Sequence, residues 1–317
     1  MNNLKKVGLT ALAGTLVSVS ANALDLSVTG AASISFAGEE AVDTGNGWGM
    51  NDGVTFTASG EMDNGWNVTV TQIIDSSDGT GGAIMDTRTL AIDMGDNGTL
   101  TFAGTGGSSV IDAVDDVTPT ANEEAWADVS DASAAPTGTG GDNMFHYSNS
   151  SLMDGVKLSA SYTPSGGTTE VESSTDYGIE LTNLMEGLTV GAAQGEDNSA
   201  AATVETTTMY VKFAMEDMPI TVGYQATEDD SETASADIDF SAIGASYAVS
   251  EDMSVSINSS THDYEDSSLS DQEALGVSVS YTMGSMTLKA NHNSIDNVAG
   301  DSAKDRSGYA MSVAFAF

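Results

Sequence analysis

The last eleven residues, Ser307-Gly-Tyr-Ala-Met-Ser-Val-Ala-Phe-Ala-Phe317, decide the fold. Read with the side-chain period of two that a strand imposes, Tyr309, Met311, Val313, Phe315 and Phe317 share one face. Gly308, Ala310, Ser312, Ala314 and Ala316 share the other. Such a strand has one greasy side and one small, mildly polar side. A soluble sandwich would turn the greasy side to a core, whereas a membrane barrel would turn it to lipid and leave the small side against water. The length matches the roughly 9–11 residues a tilted strand needs to cross a bilayer. One strand does not separate the two settings, so the rest of the chain must supply partners for both of its edges.

It does so repeatedly. Leu24 to Phe36 alternates Leu24, Leu26, Val28, Ala32, Ile34 and Phe36 with Asp25, Ser27, Thr29, Ser33 and Ser35. The same pattern recurs around Phe56, Val68, Ile92, Phe102, Tyr147, Leu158, Ile179, Val190, Val211, Val222, Ala245, Ile257, Val277 and Leu288. With the terminal strand the count is sixteen. Tight connections such as Met62-Asp63-Asn64-Gly65, Gly95-Asp96-Asn97-Gly98, Glu216 to Pro219 and Ser250 to Asp252 alternate with long acidic loops. That rhythm is expected of short periplasmic turns and longer extracellular loops. None of the apolar-face residues is charged, while Asp25, Asp93, Lys157, Glu180, Lys212 and Lys289 fall at the opposite parity. If odd strands run outward, Phe36, Phe102, Tyr162, Tyr177, Tyr224 and Tyr309 form one rim and Trp66, Phe213, Tyr247, Tyr281 and Phe317 the other. Two aromatic girdles are expected where rings sit at both membrane interfaces. The sandwich alternative would bury more polar surface than a core tolerates.

Composition narrows the classes further. Lys5 and Lys6, the apolar run Val7 to Val19, and Ala21-Asn22-Ala23 predict a cleaved secretory signal over residues 1–23 and a barrel domain over 24–317. The apolar run is shorter than the roughly 20 residues of a spanning helix. Cysteine is absent, which removes disulfides and thiolate metal sites. The chain has 8 basic and 47 acidic residues, a balance that repels nucleic acid.

The chain resembles the Gram-negative general porins in its strand and loop rhythm over the whole mature length. Local echoes lie in Thr87-Arg88-Thr89-Leu90-Ala91-Ile92, in Gly98 to Phe102, in Asp142 to Tyr162 and in the terminal aromatic strand ending on Phe317. The resemblance implies an all-β fold, a 16-stranded antiparallel transmembrane β-barrel with a long constriction loop folded into the lumen. It also implies a homotrimer in the outer membrane, in contact with lipid and lipopolysaccharide. Outward Gly30, Ala32 and Ala58 are small enough for close contact between barrels. The loop of residues 105–142 stands where the constriction loop belongs, but it lacks the family's Pro-Glu-Phe-Gly-Gly ending, and basic residues for the facing wall are sparse.

Asp112, Asp115, Asp116, Glu123 and Glu124 are the candidate constriction residues, in a loop that contains no lysine or arginine. Carboxylates in a narrow passage concentrate cations and repel anions. Candidate pore-wall bases are His146 and Lys157 by parity, and Arg88 by position in the resemblance. Arg88 shares the parity of Leu90 and reaches the lumen only through a bulge. The expected function is therefore a water-filled, cation-preferring channel for passive diffusion of small hydrophilic solutes and ions.

Enzymatic readings have little to stand on. His146, His262 and His292 are dispersed, with His262-Asp263 the only local hint of a dyad. No cofactor is expected beyond loosely bound calcium at acids such as Glu228-Asp229-Asp230 or Asp263, Glu265 and Asp266. A secreted or surface calcium-stabilised acidic β-protein of the adhesin or surface-layer type stays open as an alternative, as does a closed barrel that conducts nothing.

Overall fold

Sixteen strands hydrogen-bond edge to edge into a closed antiparallel barrel in the computed structural model of the protein. The structure describes residues 25–40, 42, 45–75, 85–138, 141–165, 172–198, 203–215, 217–232 and 236–317. The leader expected over 1–23, Leu24 as the first strand residue, and Glu216 of one expected turn lie outside the described residues. In chain order the first five strands are β1 (Asp25–Glu39), β2 (Trp48–Glu61), β3 (Asn67–Asp75), β4 (Met85–Asp93) and β5 (Thr99–Thr105). After the long loop come β6 (Met144–Met153), β7 (Val156–Thr163), β8 (Ser174–Leu181), β9 (Leu188–Asp197), β10 (Val204–Ala214) and β11 (Ile220–Ser231). The last five are β12 (Ile238–Ala248), β13 (Met253–Tyr264), β14 (Gln272–Met283), β15 (Met286–Asp296) and β16 (Arg306–Ala316). Each strand pairs with its neighbours in sequence, and β1 with β16 closes the ring.

Closure is visible atom by atom at the seam. Ile34 pairs with Val313 and Phe36 with Met311, so the apolar row of the terminal strand continues into that of β1. Below the last registered pair, Phe317 N–H donates to Gly30 O at 2.9 Å and Gly30 N–H to Phe317 O at 2.6 Å. The Phe317 ring lies over Gly30 so closely that a Cβ there would sit 2.5 Å from it. The terminal Phe is therefore a paired residue with a fitted seat rather than a frayed end.

The outer surface is apolar and exposed, as in Leu26, Val28, Met209, Ile243, Ile257, Leu275 and Val277. No helix among the described residues is long and apolar enough to cross a membrane, and the strands make the crossing instead. Two details depart from the alternation read along the chain. Trp48 to Gly53 belongs to β2 instead of an acidic loop, and it places Trp48 against Phe36 with ring centroids 5.0 Å apart. Trp48 thus joins Phe36 and Tyr309 in one aromatic cluster at the rim. The register also puts Asp52 in the row of Met50 and Val54, so the outer rows are not wholly free of charge.

Buried apolar side chains gather between the wall and the long loop rather than in a layer of their own. One cluster joins Ala125 and Val129 of the loop to Ala274, Ile295 and Val298, and another joins Val110 and Ile111 to Ala193. Val277, in the middle of β14 and on the outer face, is expected to lose about 2–4 kcal/mol of stability when changed to Arg, because the guanidinium meets hydrocarbon. Thr57→Arg, on the lumen side of β2, is expected to change stability by about 0.5 kcal/mol or less. Urea titration of the barrel folded in lipid vesicles checks the contrast.

Candidate functional site

The loop between β5 and β6 turns inward and follows the inner wall for most of its circumference. Its base is zipped by paired Gly107 and Gly141, whose N–H groups each donate to the other's carbonyl at 2.9 and 2.7 Å. From there the loop meets successive strands in order. Val110 N–H donates to Ser161 Oγ of β7 at 3.0 Å, and Val117 N–H to Gln225 Oε1 of β11 at 3.1 Å. Ala121 and Asn122 donate to Ser256 Oγ of β13 and Ser278 Oγ of β14 at 2.9 and 3.1 Å. Asn293 of β15 donates to the carbonyls of Glu124 and Ala127 at 3.0 and 2.7 Å.

At the seam the loop is pinned by charge. Arg306 of β16 donates to Ser130 O at 2.9 Å and to Glu39 Oε1 of β1 at 3.3 Å, while Ser130 N–H donates to Glu39 Oε2 at 3.0 Å. The chain then returns along β14 and β13. Gln272 exchanges two bonds of 2.9 Å with the Ser133 backbone, and His262 Nε2 donates to Ala134 O at 2.8 Å. Buried Gln225, Gln272 and His262 are thereby satisfied by loop backbone, as buried polar groups must be, and Asn293 Nδ2 by two loop carbonyls, while Asn293 Oδ1 has no partner among the described residues. His262 is committed to holding the loop, and Asp263, next along the strand, points to the other face, so the two form no dyad.

Space for the loop is cut into the wall by glycines. Inward-facing Gly178 and Gly195 lie under Val110 and Ile111, Gly223 and Gly244 under Pro119, Gly276 under Ala125 and Gly308 under Asp128. A Cβ at Gly244 would fall 2.8 Å from Pro119 O, and one at Gly276 2.9 Å from Ala125 Cα. A mid-strand glycine marks close backbone approach, so this seat carries a sequence signal that alternation alone passes over.

The five candidate carboxylates all lie on the part of the loop that follows the inner wall, and burial raises four of them. Burial pushes Asp115 up to about 7, helped by the nearby charges of Asp116 and Asp112. Burial likewise raises Asp116. Glu124 reaches about 7 by burial and by the charges of Asp116 and Glu123, against the pull of Lys289. Glu123 is raised by burial and by Asp128, again opposed by Lys289. The acids therefore form one mutually repelling group whose basic neighbour is Lys289 of β15.

The wall bases are placed differently from one another. His146 Nδ1 contacts Ser108 O at 3.1 Å, at the root of the loop. Lys157 is paired in register with Glu180 and faces a recess behind the loop. Arg88 is not a pore-wall residue. It pairs with Gln72 and Thr105 on the row of Leu90 and Val70, exposed on the outer face, with its guanidinium flat over Gly104. Bulges do occur here, one inserting Gly104 into β5 and one setting Asp86 of β4 apart from its neighbours, but both leave the alternation from Thr87 to Asp93 unturned.

Arg88 is also the only lysine or arginine in β1 to β5. The wall that these strands form, which the loop touches at its root and at Glu39, is consequently hydroxyl-rich and acidic on its inner side. An open space of about 740 Å³ lies along it, lined by residues such as Thr29, Ser33, Asn51, Thr55 and Asp75. Among the described residues no group of three or more His, Asp or Glu side chains converges as metal ligands would.

The family described as Gram-negative porin matches residues 8–300. Among solved structures, an anion-selective porin from Comamonas acidovorans superposes with a TM-score of 0.68 at 11% identity, covering 93% of this chain and 100% of that one. A loop L8 deletion mutant of OmpT, an outer membrane protein of Vibrio cholerae, gives 0.69 at 14% identity, covering 93% and 99%. A porin mutant from Rh. blastica gives 0.65 at 14%, covering 92% and 100%. No curated protein matches the chain by sequence.

Gly244→Val and Gly276→Val are expected to leave the barrel folded while lifting the loop from its seat. Limited proteolysis should then cut between residues 106 and 143, and single-channel current should become noisier. Thr29→Val, on the β1 to β5 wall, should do neither.

Proposed function

The chain belongs to the Gram-negative porin family and is an outer-membrane channel; we propose that it passes small hydrophilic solutes and ions by passive diffusion and prefers cations. One observation carries the preference: a loop with no base between residues 106 and 143 follows the inner wall of a lumen whose β1 to β5 side contributes no inward lysine or arginine. Low-dielectric walls strengthen the field of the loop carboxylates on a passing ion. The Comamonas protein is by its name anion-selective, but a likeness at 11% identity reaches no further than the fold, and selectivity follows from the charges of each chain. The constriction is the loop itself, with Asp112, Asp115, Asp116, Glu123 and Glu124 at its charged edge and Lys289 as its local counterweight. We assign the native assembly to a homotrimer embedded among lipid and lipopolysaccharide. Calcium, where it binds, does so diffusely at the acidic outer loops.

Selectivity should depend on pH through Asp115 and Glu124, both pushed up to about 7. Below that value they are neutral and above it they are charged, so cation preference should rise from about pH 5.5 to about pH 8.5. The same protons are held more tightly by the folded chain than by the unfolded one. These groups therefore favour folding as pH falls through the window between the ordinary carboxylate range and about 7.

The charge assignment is tested by neutralisation. Replacing Asp112, Asp115, Asp116, Glu123 and Glu124 by Asn or Gln should move the reversal potential of bilayer-reconstituted channels toward anions. Neutralising Glu228, Asp229 and Asp230 should do much less in molar salt, where screening falls to roughly 3 Å. Equal effects of the two sets in molar salt would refute the loop as the selective element.

A further inference from the structure

Lys157 of β7 and Lys212 of β10 are 55 positions apart in the chain, yet the wall brings both to one recess behind the loop. The recess has a volume of about 140 Å³ and lies toward the short-turn end of the barrel. Val110, Val114 and Val117 of the loop form one side, and Lys157, Lys212 and Tyr210 the other. Its one carboxylate, Glu180, is already engaged, because Tyr210 OH donates to Glu180 Oε2 at 2.6 Å. The Lys212 ammonium stands 5.7 Å from the centre of the Tyr210 ring. Among the described residues the ion pairs belong to Lys304 and Arg306, and neither Lys157 nor Lys212 has a carboxylate within 4.0 Å. Two ammonium groups against one occupied carboxylate make this spot locally positive in a chain with 47 acidic and 8 basic residues.

We propose that this recess is a subsite for small organic carboxylates, with the carboxylate held by Lys157 and Lys212 and the hydrocarbon against the three valines. The proposal rests on the channel reading, since the ligand reaches the recess through the lumen. A recess of about 140 Å³ is small, so it suits an anion with a short hydrocarbon tail rather than a long one. Lysine's flexible stem and point charge suit an anion of no fixed orientation. Inorganic anions such as chloride or phosphate satisfy the ammonium groups but leave the valine side unfilled, and the valines offer no donors to a phosphate.

Calorimetric titration of the full chain folded in detergent, with propionate as the probe and propylammonium as its charge-reversed counterpart, tests the assignment. Propionate should bind and propylammonium should not. The double variant Lys157→Gln/Lys212→Gln should weaken propionate binding by about tenfold or more, while Lys157→Arg/Lys212→Arg retains it. Absent propionate binding, binding unchanged in the glutamine variant, or equal competition by chloride or phosphate would overturn the proposal. Conductance in potassium chloride, measured on the same preparations, separates the two readings. Propionate binding by a protein that conducts nothing would support the recess while contradicting the channel.

Discussion

An unpaired backbone N–H or C=O in hydrocarbon costs several kcal/mol, and no water is present to relieve it. A sheet that crosses a bilayer must therefore have no edge, and every other property of this chain follows from that closure. The ring of sixteen strands joins β1 to β16, down to the reciprocal bonds between Gly30 and Phe317. Closure also gives each strand two environments, and the period of two sorts side chains between them. Lipid takes the apolar rows, and the enclosed water takes most of the Ser, Thr, Asn and Gln, with Arg88 and Asp52 as charged exceptions on the outer face.

A barrel this wide has no side-chain core of its own, so the polar interior is free to bind a loop. The loop's backbone groups are matched by Ser161, Gln225, Ser256, Ser278, Asn293 and Gln272, drawn from strands around the wall. Apolar loop residues then bury against small inward residues and against the glycine seat. Packing so tight fixes the acids in place and half-buries them, which is why Asp115 and Glu124 titrate near neutrality. Selectivity in this account is a consequence of where the loop can lie down.

The barrel was legible because alternation is a strong signal wherever one face meets lipid, and all sixteen strands carry it. Short runs without side-chain contrast were not. Trp48 to Gly53 is mostly Gly, Asn and Asp, and becomes strand because β1 offers it a partner edge. Arg88 misleads for a related reason: the motif around it points to the lumen by resemblance, while its parity and the unturned alternation from Thr87 to Asp93 put it outside. In the site, the five acids could be named from composition and loop position. Lys289 could be placed on the inner face by parity, but its position beside these acids, the seat glycines and the pairing of Arg306 with Glu39 could not, because they depend on which strands the loop crosses. Alternation says which face a residue takes and nothing about its neighbour across the lumen.

The central claim is that the long loop lies inside the barrel, seated on the inner wall. The chain contains no cysteine, so a pair introduced as Thr120→Cys and Ser278→Cys, away from the glycine seat, reports on this contact alone. The Thr120 and Ser278 side-chain oxygens, whose places the two sulfurs would take, stand 3.4 Å apart between loop and wall, a gap that small side-chain rotations close to an S–S bond of roughly 2 Å. The measurement is the fraction of bridged chains after mild oxidation of the folded protein, read by gel mobility against the same chain oxidised in denaturant. The account predicts near-complete bridging in the folded barrel and little in the unfolded chain; a folded, conducting barrel that fails to bridge would contradict it.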